Sequence, residues 1–140
     1  MNLNKHLYIS DTFWQNASIK SESNETIEVL HTLYDYILET FSNRIDEVRT
    51  VNNIMLSFFS NRREIISITV CKKNLRIYIH PPSGALFEPE AKFKVERFNL
   101  WQTSFVRSKG MYRGMTVWVS KLEHIEGMKE ILRKIPEKVD

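Results

Sequence analysis

From Ile66 to Ile79 the chain alternates apolar and polar residues on either side of one short polar break, and that pattern rules out a helix there. Ile66, Ile68 and Val70 interleave with Ser67, Thr69 and Cys71; Leu75, Ile77 and Ile79 interleave with Arg76, Tyr78 and His80. A period of two sends successive side chains to opposite faces of a strand, so each run has one apolar and one polar face. Lys72-Lys73-Asn74 supplies a tight turn, with Asn74 able to take a left-handed conformation. The two runs make an antiparallel hairpin, and the rest of the chain has to cover its apolar face.

A helix precedes it. Ser23 or Asn24 can cap the first turn, and Glu25 and Glu28 suit the positive end of the helix dipole. Ile27, Leu30, Leu33 or Tyr34, Ile37 and Phe41 recur at spacings of three and four, which predicts one buried face running to about Ser42. Glu25, Glu28, Asp35 and Glu39 make the opposite face acidic and solvated. After Asn43 the period shortens to two. Val48 to Val51 and Ile54 to Phe59 read as one strand or a pair of short ones, and Asn61-Arg62-Arg63 as a polar break.

Pro81-Pro82-Ser83-Gly84 ends the hairpin, because proline cannot donate to a ladder. Between residues 85 and 114 the pattern is weakest: Lys92 to Glu96 reads as a short strand, and Phe98 to Arg113 as a long ordered loop. Met115, Val117 and Val119 alternate around Thr116 and Trp118 in a last strand. Ser120-Lys121-Leu122-Glu123 fits a capping box, with serine bonding forward and glutamate reaching back. Leu122, Ile125, Met128, Leu132 and Ile135 then form the buried face of a terminal helix that stops before Pro136. The expected fold is α+β: a two-layer sandwich, order α-β-β-β-β-α, with helices on one face of a mostly antiparallel sheet of four to five strands.

Residues 1–140 read as a single domain, with residues 1–22 an N-terminal arm and 23–140 the α+β core. At 42% hydrophobic and 26% charged residues, the chain is rich enough in apolar side chains to build a core. Phe13 and Trp14 should anchor the arm. Cys71 is the only cysteine, so neither an intramolecular disulfide nor a cysteine zinc cage is possible. A single thiol in an alternating run reads as an inert strand residue in a reducing compartment. Met1 to Ser10 lacks the apolar stretch of a signal peptide, and no run approaches the roughly 20 apolar residues of a membrane span. The expectation is a cytoplasmic protein with no membrane partner.

Charge is uneven. Residues 1–50 carry four Lys/Arg against eight acids, net −4, whereas residues 51–120 carry eleven against four, net +7. Basic and aromatic residues interleave in that middle segment: Arg62, Arg63, Lys72, Lys73, Arg76 and Tyr78, then Trp101, Arg107, Lys109, Tyr112 and Arg113. Cations can neutralise phosphates while exposed rings stack on unpaired bases. Arg76, Tyr78 and His80 share one face of one strand; with Arg107, Lys109 and Arg113 they form the candidate nucleic-acid-binding set. In that set the arginines and lysine hold phosphate and Tyr78 stacks. The competing reading makes these the ordinary solvated surface of a basic protein, with Trp101 and Tyr112 in the core.

Catalytic signals are sparse. His6, His31, His80 and His124 are scattered, with no spacing that suggests a metal site, and no cofactor is expected. Neither phosphate-binding glycine loop occurs. Glu90-Ala91-Lys92 has the E-x-K spacing of divalent-metal nucleases, in which Glu holds Mg²⁺ and Lys orients water; Asp46 or Glu64 could complete it. Glu90 and Lys92 are therefore the candidate catalytic pair, weighed against a solvated loop.

The hairpin Glu64 to Ile79, the Arg113-Gly114 step into a strand and the Leu122 to Ile135 helix together carry a resemblance. Over Leu33 to Ile135 the chain resembles a bacterial and archaeal domain family described as a "predicted transport protein". Its members also occur fused to, or encoded beside, restriction-type endonucleases. The resemblance implies the fold and a setting beside a defence or DNA-modification system. The function expected is a non-enzymatic binding module for an anionic partner such as nucleic acid. The alternatives are a protein-interaction or homodimerisation module, built on the acidic helix face and the Phe13–Trp14 arm, and a metal-dependent nuclease.

Overall fold

The computed structural model describes residues 9–101 and 111–137. Its helices are α1 (Asp11–Lys20), α2 (Asn24–Thr40) and α3 (Ile125–Leu132). Its strands are β1 (Glu47–Val51), β2 (Met55–Ser60), β3 (Arg63–Val70), β4 (Leu75–Ile79), β5 (Arg97–Trp101) and β6 (Gly114–Val119). All six strands join one antiparallel sheet in the order β1-β2-β3-β4-β6-β5. The class is α+β as expected, with six strands rather than four to five and a helix within the arm.

The sheet sorts its residues by parity. Leu56, Phe58, Ile66, Ile68, Ile77, Ile79, Met115 and Val117 are fully buried on one face. They share a core with Val29, Leu30, Leu33 and Ile37 of α2 and Met128, Ile131 and Leu132 of α3. Burying a side chain of this size contributes roughly 1.5–3 kcal/mol, so this layer holds the fold together. The helices cover that face.

Turn chemistry explains the first three strands. Asn52 and Asn53 have φ of 53° and 55°, and Asn61 and Arg62 have φ of 51° and 69°. Two successive left-handed residues make the turn whose twist matches a hairpin, and asparagine tolerates that region better than most residues. The stretch from Val48 to Phe59 is therefore two strands, and Arg63 opens β3 instead of extending the break. Left-handed backbone falls at these positions and not at Asn74.

Three further expectations are corrected. Phe98 to Arg113 is not all loop, because Arg97–Trp101 forms the edge strand β5, with Phe98 and Leu100 opposite Val117 and Met115. Lys92 to Glu96 is not a strand; it crosses α3 where a Cβ on Gly127 would meet the Lys94 carbonyl. The capping box shifts by one residue. Ser120 N and Lys121 N both donate to His124 Nδ1, at 3.0 and 3.1 Å, while Ser120 Oγ bonds Glu96 Oε1. The imidazole thus does the reaching back expected of Glu123. A 3-10 turn, Leu122–His124, precedes α3 and leaves Leu122 44% exposed, with Ile131 in the buried set.

Side chains tie the layers at both ends. Ser23 caps α2 by accepting from Thr26 N, and Thr26 Oγ1 donates to Ser120 O at 2.9 Å. Arg44 Nη1 donates to the carbonyls of Ser83 and Pro136, and Nη2 to that of Pro82. In the arm, Phe13 is fully buried and Trp14 stacks on His31 with centroids 4.1 Å apart. These aromatics are used within the fold. No helix among the described residues is long and apolar enough to cross a membrane.

Candidate functional site

The face of the sheet turned away from the core carries the polar partners of the same strands, in three cross-strand rows. The first runs Val51, Met55, Thr69, Arg76, Trp118, Arg97. The second runs Arg49, Ser57, Ser67, Tyr78, Thr116, Asn99. In the third, Glu47 and Phe59 lead to Glu64, and Trp101 lies opposite Gly114. His80, one residue past β4, bridges the two parts of that row: its Nε2 is 3.0 Å from Glu64 Oε1 and its ring centroid is 5.8 Å from that of Trp101.

The β4–β6–β5 half is cationic and aromatic. Trp118 is flanked in register by Arg76 and Arg97, and the Arg97 guanidinium lies 3.9 Å from the indole centroid. Arg76 sits 5.4 Å from the Tyr78 ring. Such contacts hold a planar guanidinium in place while leaving its edge free to donate. Neither arginine has a carboxylate partner among the described residues, and Arg76 Nε is buried without a hydrogen bond. Glu96, next to Arg97 in sequence, is engaged by Asn74 Nδ2 and Ser120 Oγ instead. The three strands themselves contain no acid.

Tyr78, His80 and Trp101 gather into one ring cluster, with centroids 5.5 to 5.9 Å apart. Trp101 Nε1 donates to Thr116 Oγ1 at 2.6 Å, which fixes the indole on this face. Trp101 is half-buried here and not a core residue. Gly114 makes room for it: a Cβ there would stand 3.1 Å from both the Ile79 carbonyl and the Trp101 ring.

The β1–β2–β3 half differs. Arg49 is bound by Glu47 through two hydrogen bonds, at 2.7 and 3.0 Å, and covers Phe59. Its charge is answered locally.

Ser67, His80 and Glu64 stand together, but not as a catalytic triad. Ser67 Oγ is 3.1 Å from His80 Nε2, the same nitrogen that faces Glu64. A relay needs the carboxylate on Nδ1 so that Nε2 can take the serine proton. Burial pushes the His80 imidazole below its ordinary value, and the Glu64 carboxylate opposes that only in part.

Of the residues expected at the site, the structure brings Arg76, Tyr78 and His80 together on one face. Arg113 is exposed at the entry to β6, beside the Phe87–Tyr112 bridge. Arg107 and Lys109 lie outside the described residues. Glu90 and Lys92 are exposed in an irregular segment, and Lys92 lines a groove of about 510 Å³ between Leu86–Phe93 and α3. Asp46 accepts from Asn61 N at 2.8 Å, and Glu64 is taken up by His80. Among the described residues, no three His, Cys, Asp or Glu side chains converge as a metal site would require. Arg97, Asn99, Thr116 and Trp118 join the face without having been singled out. The signal for Arg97 and Asn99 was the alternation Arg97-Phe98-Asn99-Leu100-Trp101, and for Thr116 and Trp118 the alternation with Met115, Val117 and Val119. Only the pairing of β5 with β6 turns the two into one surface.

Comparison with protein-family models, with curated proteins and with solved structures finds no match for this chain. The site therefore stands on its own geometry.

Proposed function

We propose that the β4–β6–β5 half of the open face binds an anionic partner, nucleic acid, and that the chain is a binding module without catalytic chemistry of its own. The observation that carries this reading is the row Arg76–Trp118–Arg97. Two guanidiniums with no carboxylate partner among the described residues flank an indole, on a surface whose next residues are Tyr78, Asn99, His80 and Trp101. Removing a guanidinium from water without a counter-charge is unfavourable. Half-buried Arg76 and exposed Arg97, beside apolar rings and with no carboxylate among the described residues, therefore suit a ligand that brings both phosphate and flat apolar surface. Nucleic acid offers both. The net +7 of residues 51–120 favours the approach of a polyanion.

The resemblance of Leu33 to Ile135 to domains found beside restriction-type endonucleases supports a role accessory to a defence or DNA-modification system. The lone free Cys71 supports a cytoplasmic setting. Binding is favoured over hydrolysis because Ser67 and Glu64 share one His80 nitrogen and because Glu90 and Lys92 sit apart on an exposed loop.

Fluorescence anisotropy of labelled oligonucleotides across a salt series tests the reading. Affinity should fall linearly with salt on logarithmic axes, and the paired change Arg76→Gln with Arg97→Gln should flatten that slope by roughly 1.4 for single strands or 1.8 for duplex. Absence of binding at low salt, or a slope untouched by the double change, would overturn it.

A further inference from the structure

We infer that the ligand of this face is single-stranded nucleic acid, engaged as two or three nucleotides with phosphate over the Arg76–Trp118–Arg97 row and bases over the Tyr78–His80–Trp101 cluster. This rests on the reading of the face as a nucleic-acid site and narrows it. The cations occupy one end of these three strands, and the ring cluster runs from Tyr78, in the adjacent row, to the far end. Arg76 and Arg97 share the first row, while Trp101 and His80 lie at the far end of β5 and just beyond β4. Four residues along a strand separate those ends by roughly 13 Å, and three neighbouring strands span roughly 10 Å. Such a footprint matches sheet-borne aromatic platforms, which stack two or three unpaired bases.

A duplex cannot use both ends. Its bases are stacked on one another and present only edges in the grooves. Tyr78, between β3 and β6, and Trp101, on the edge strand against β6, are both half-buried on the sheet and do not reach into a groove. A duplex would meet the arginines and leave the rings idle. A single strand can turn its bases onto the rings while its backbone crosses the guanidiniums. Between the two ends lie Thr116, whose oxygen accepts from Trp101, and Asn99, exposed and able to hydrogen-bond a base edge.

The test uses the full chain with labelled 12-mers of oligo-dT, oligo-dA and oligo-rU and a 12-base-pair duplex, all at the same salt. Single strands should bind at least tenfold more tightly than the duplex, and titration with oligo-dT should quench tryptophan fluorescence, a readout that needs no variant. The pair Tyr78→Leu with Trp101→Leu should weaken single-strand binding roughly tenfold or more while leaving the salt slope unchanged, because stacking is not electrostatic. A circular-dichroism melt checks that this variant folds. Oligo-rU against oligo-dT shows whether the 2′-hydroxyl is read, so the two arms distinguish RNA from DNA as the source of the strand. Duplex binding as tight as single-strand binding, or oligo-dT binding without quenching, would overturn this inference and leave the broader nucleic-acid reading in place. No binding by any of the four would overturn both.

Discussion

The two faces of this sheet are made by alternate residues of the same strands, yet they obey different rules. On β4, Leu75, Ile77 and Ile79 are almost wholly buried under the helices, while Arg76 and Tyr78 are half-buried on the other side. On the covered face, identity matters little beyond size and apolarity, since dispersion and water exclusion are non-directional. On the open face, neighbours meet through directional contacts: guanidinium over indole, imidazole between serine and carboxylate, indole N–H on threonine. The covered face stores stability. The open face leaves Arg76 without a carboxylate among the described residues and its Nε buried without a hydrogen bond, which is a cost to the isolated domain unless a ligand supplies the answer.

Several substitutions would break or sharpen that contrast. The largest effect belongs to the covered face: Phe58→Ala should lose about 3–5 kcal/mol in urea unfolding, because the cavity sits in the middle of the core. An equal loss from Tyr78→Ala would show that both faces act as core and would remove the distinction. Gly127→Ala tests how tightly the layer closes over α3. A methyl group there meets the backbone carbonyl of Lys94, so a loss of about 1–3 kcal/mol is expected, seen as a lower thermal midpoint.

On the open face the effects on stability are smaller. A double-mutant cycle on Arg97 and Trp118 should give a coupling of about 0.5–1 kcal/mol, the usual range for an exposed cation–π pair. A coupling near zero would mean that the stacked geometry does not persist in solution. The smallest change is expected from His80, which is faced by Glu64, Ser67, Tyr78 and Trp101. Its folded value is lowered, chiefly by burial, so the fold prefers the neutral ring. The unfolded chain, with an imidazole near about 6.5, then binds more protons over the window below that value. The contribution of His80 is complete above that pH and is lost as pH falls through the lowered folded value. His80→Gln should abolish this part of the pH dependence; a stability that rises on acidification would contradict it.

Much of the covered face was legible without coordinates. Leu30, Leu33 and Ile37 of α2 and the apolar positions of the β3–β4 hairpin follow from spacing alone, because periods of 3.6 and 2 are properties of a local backbone. Val29, outside the expected stripe, is buried, and Ile27, within it, is only partly so. The open face was only partly legible. Arg76, Tyr78 and His80 lie within five residues of one another and announce a shared face. Arg97 and Trp118 are far apart in sequence and become neighbours only when β6 inserts between β4 and β5. Phe98 to Trp101 reads as part of a loop because its alternation is only five residues long, from Arg97, and its partner β6 lies beyond residues 102–113 in sequence. The helix at Asp11–Lys20 was hidden for another reason. Of its ten residues only Phe13 and Ala17 are buried, too few to establish a period.

The sequence by itself determined the parity of the strands, the helical stripe of α2 and the excess of positive charge in the middle segment, since each depends on nearest neighbours and composition. Only the tertiary structure decided which arginines stand beside which rings, that Trp101 belongs to the surface, and that His80 offers one nitrogen to two partners. Those facts depend on strand order, and strand order is set by how distant segments share one core, not by any local spacing.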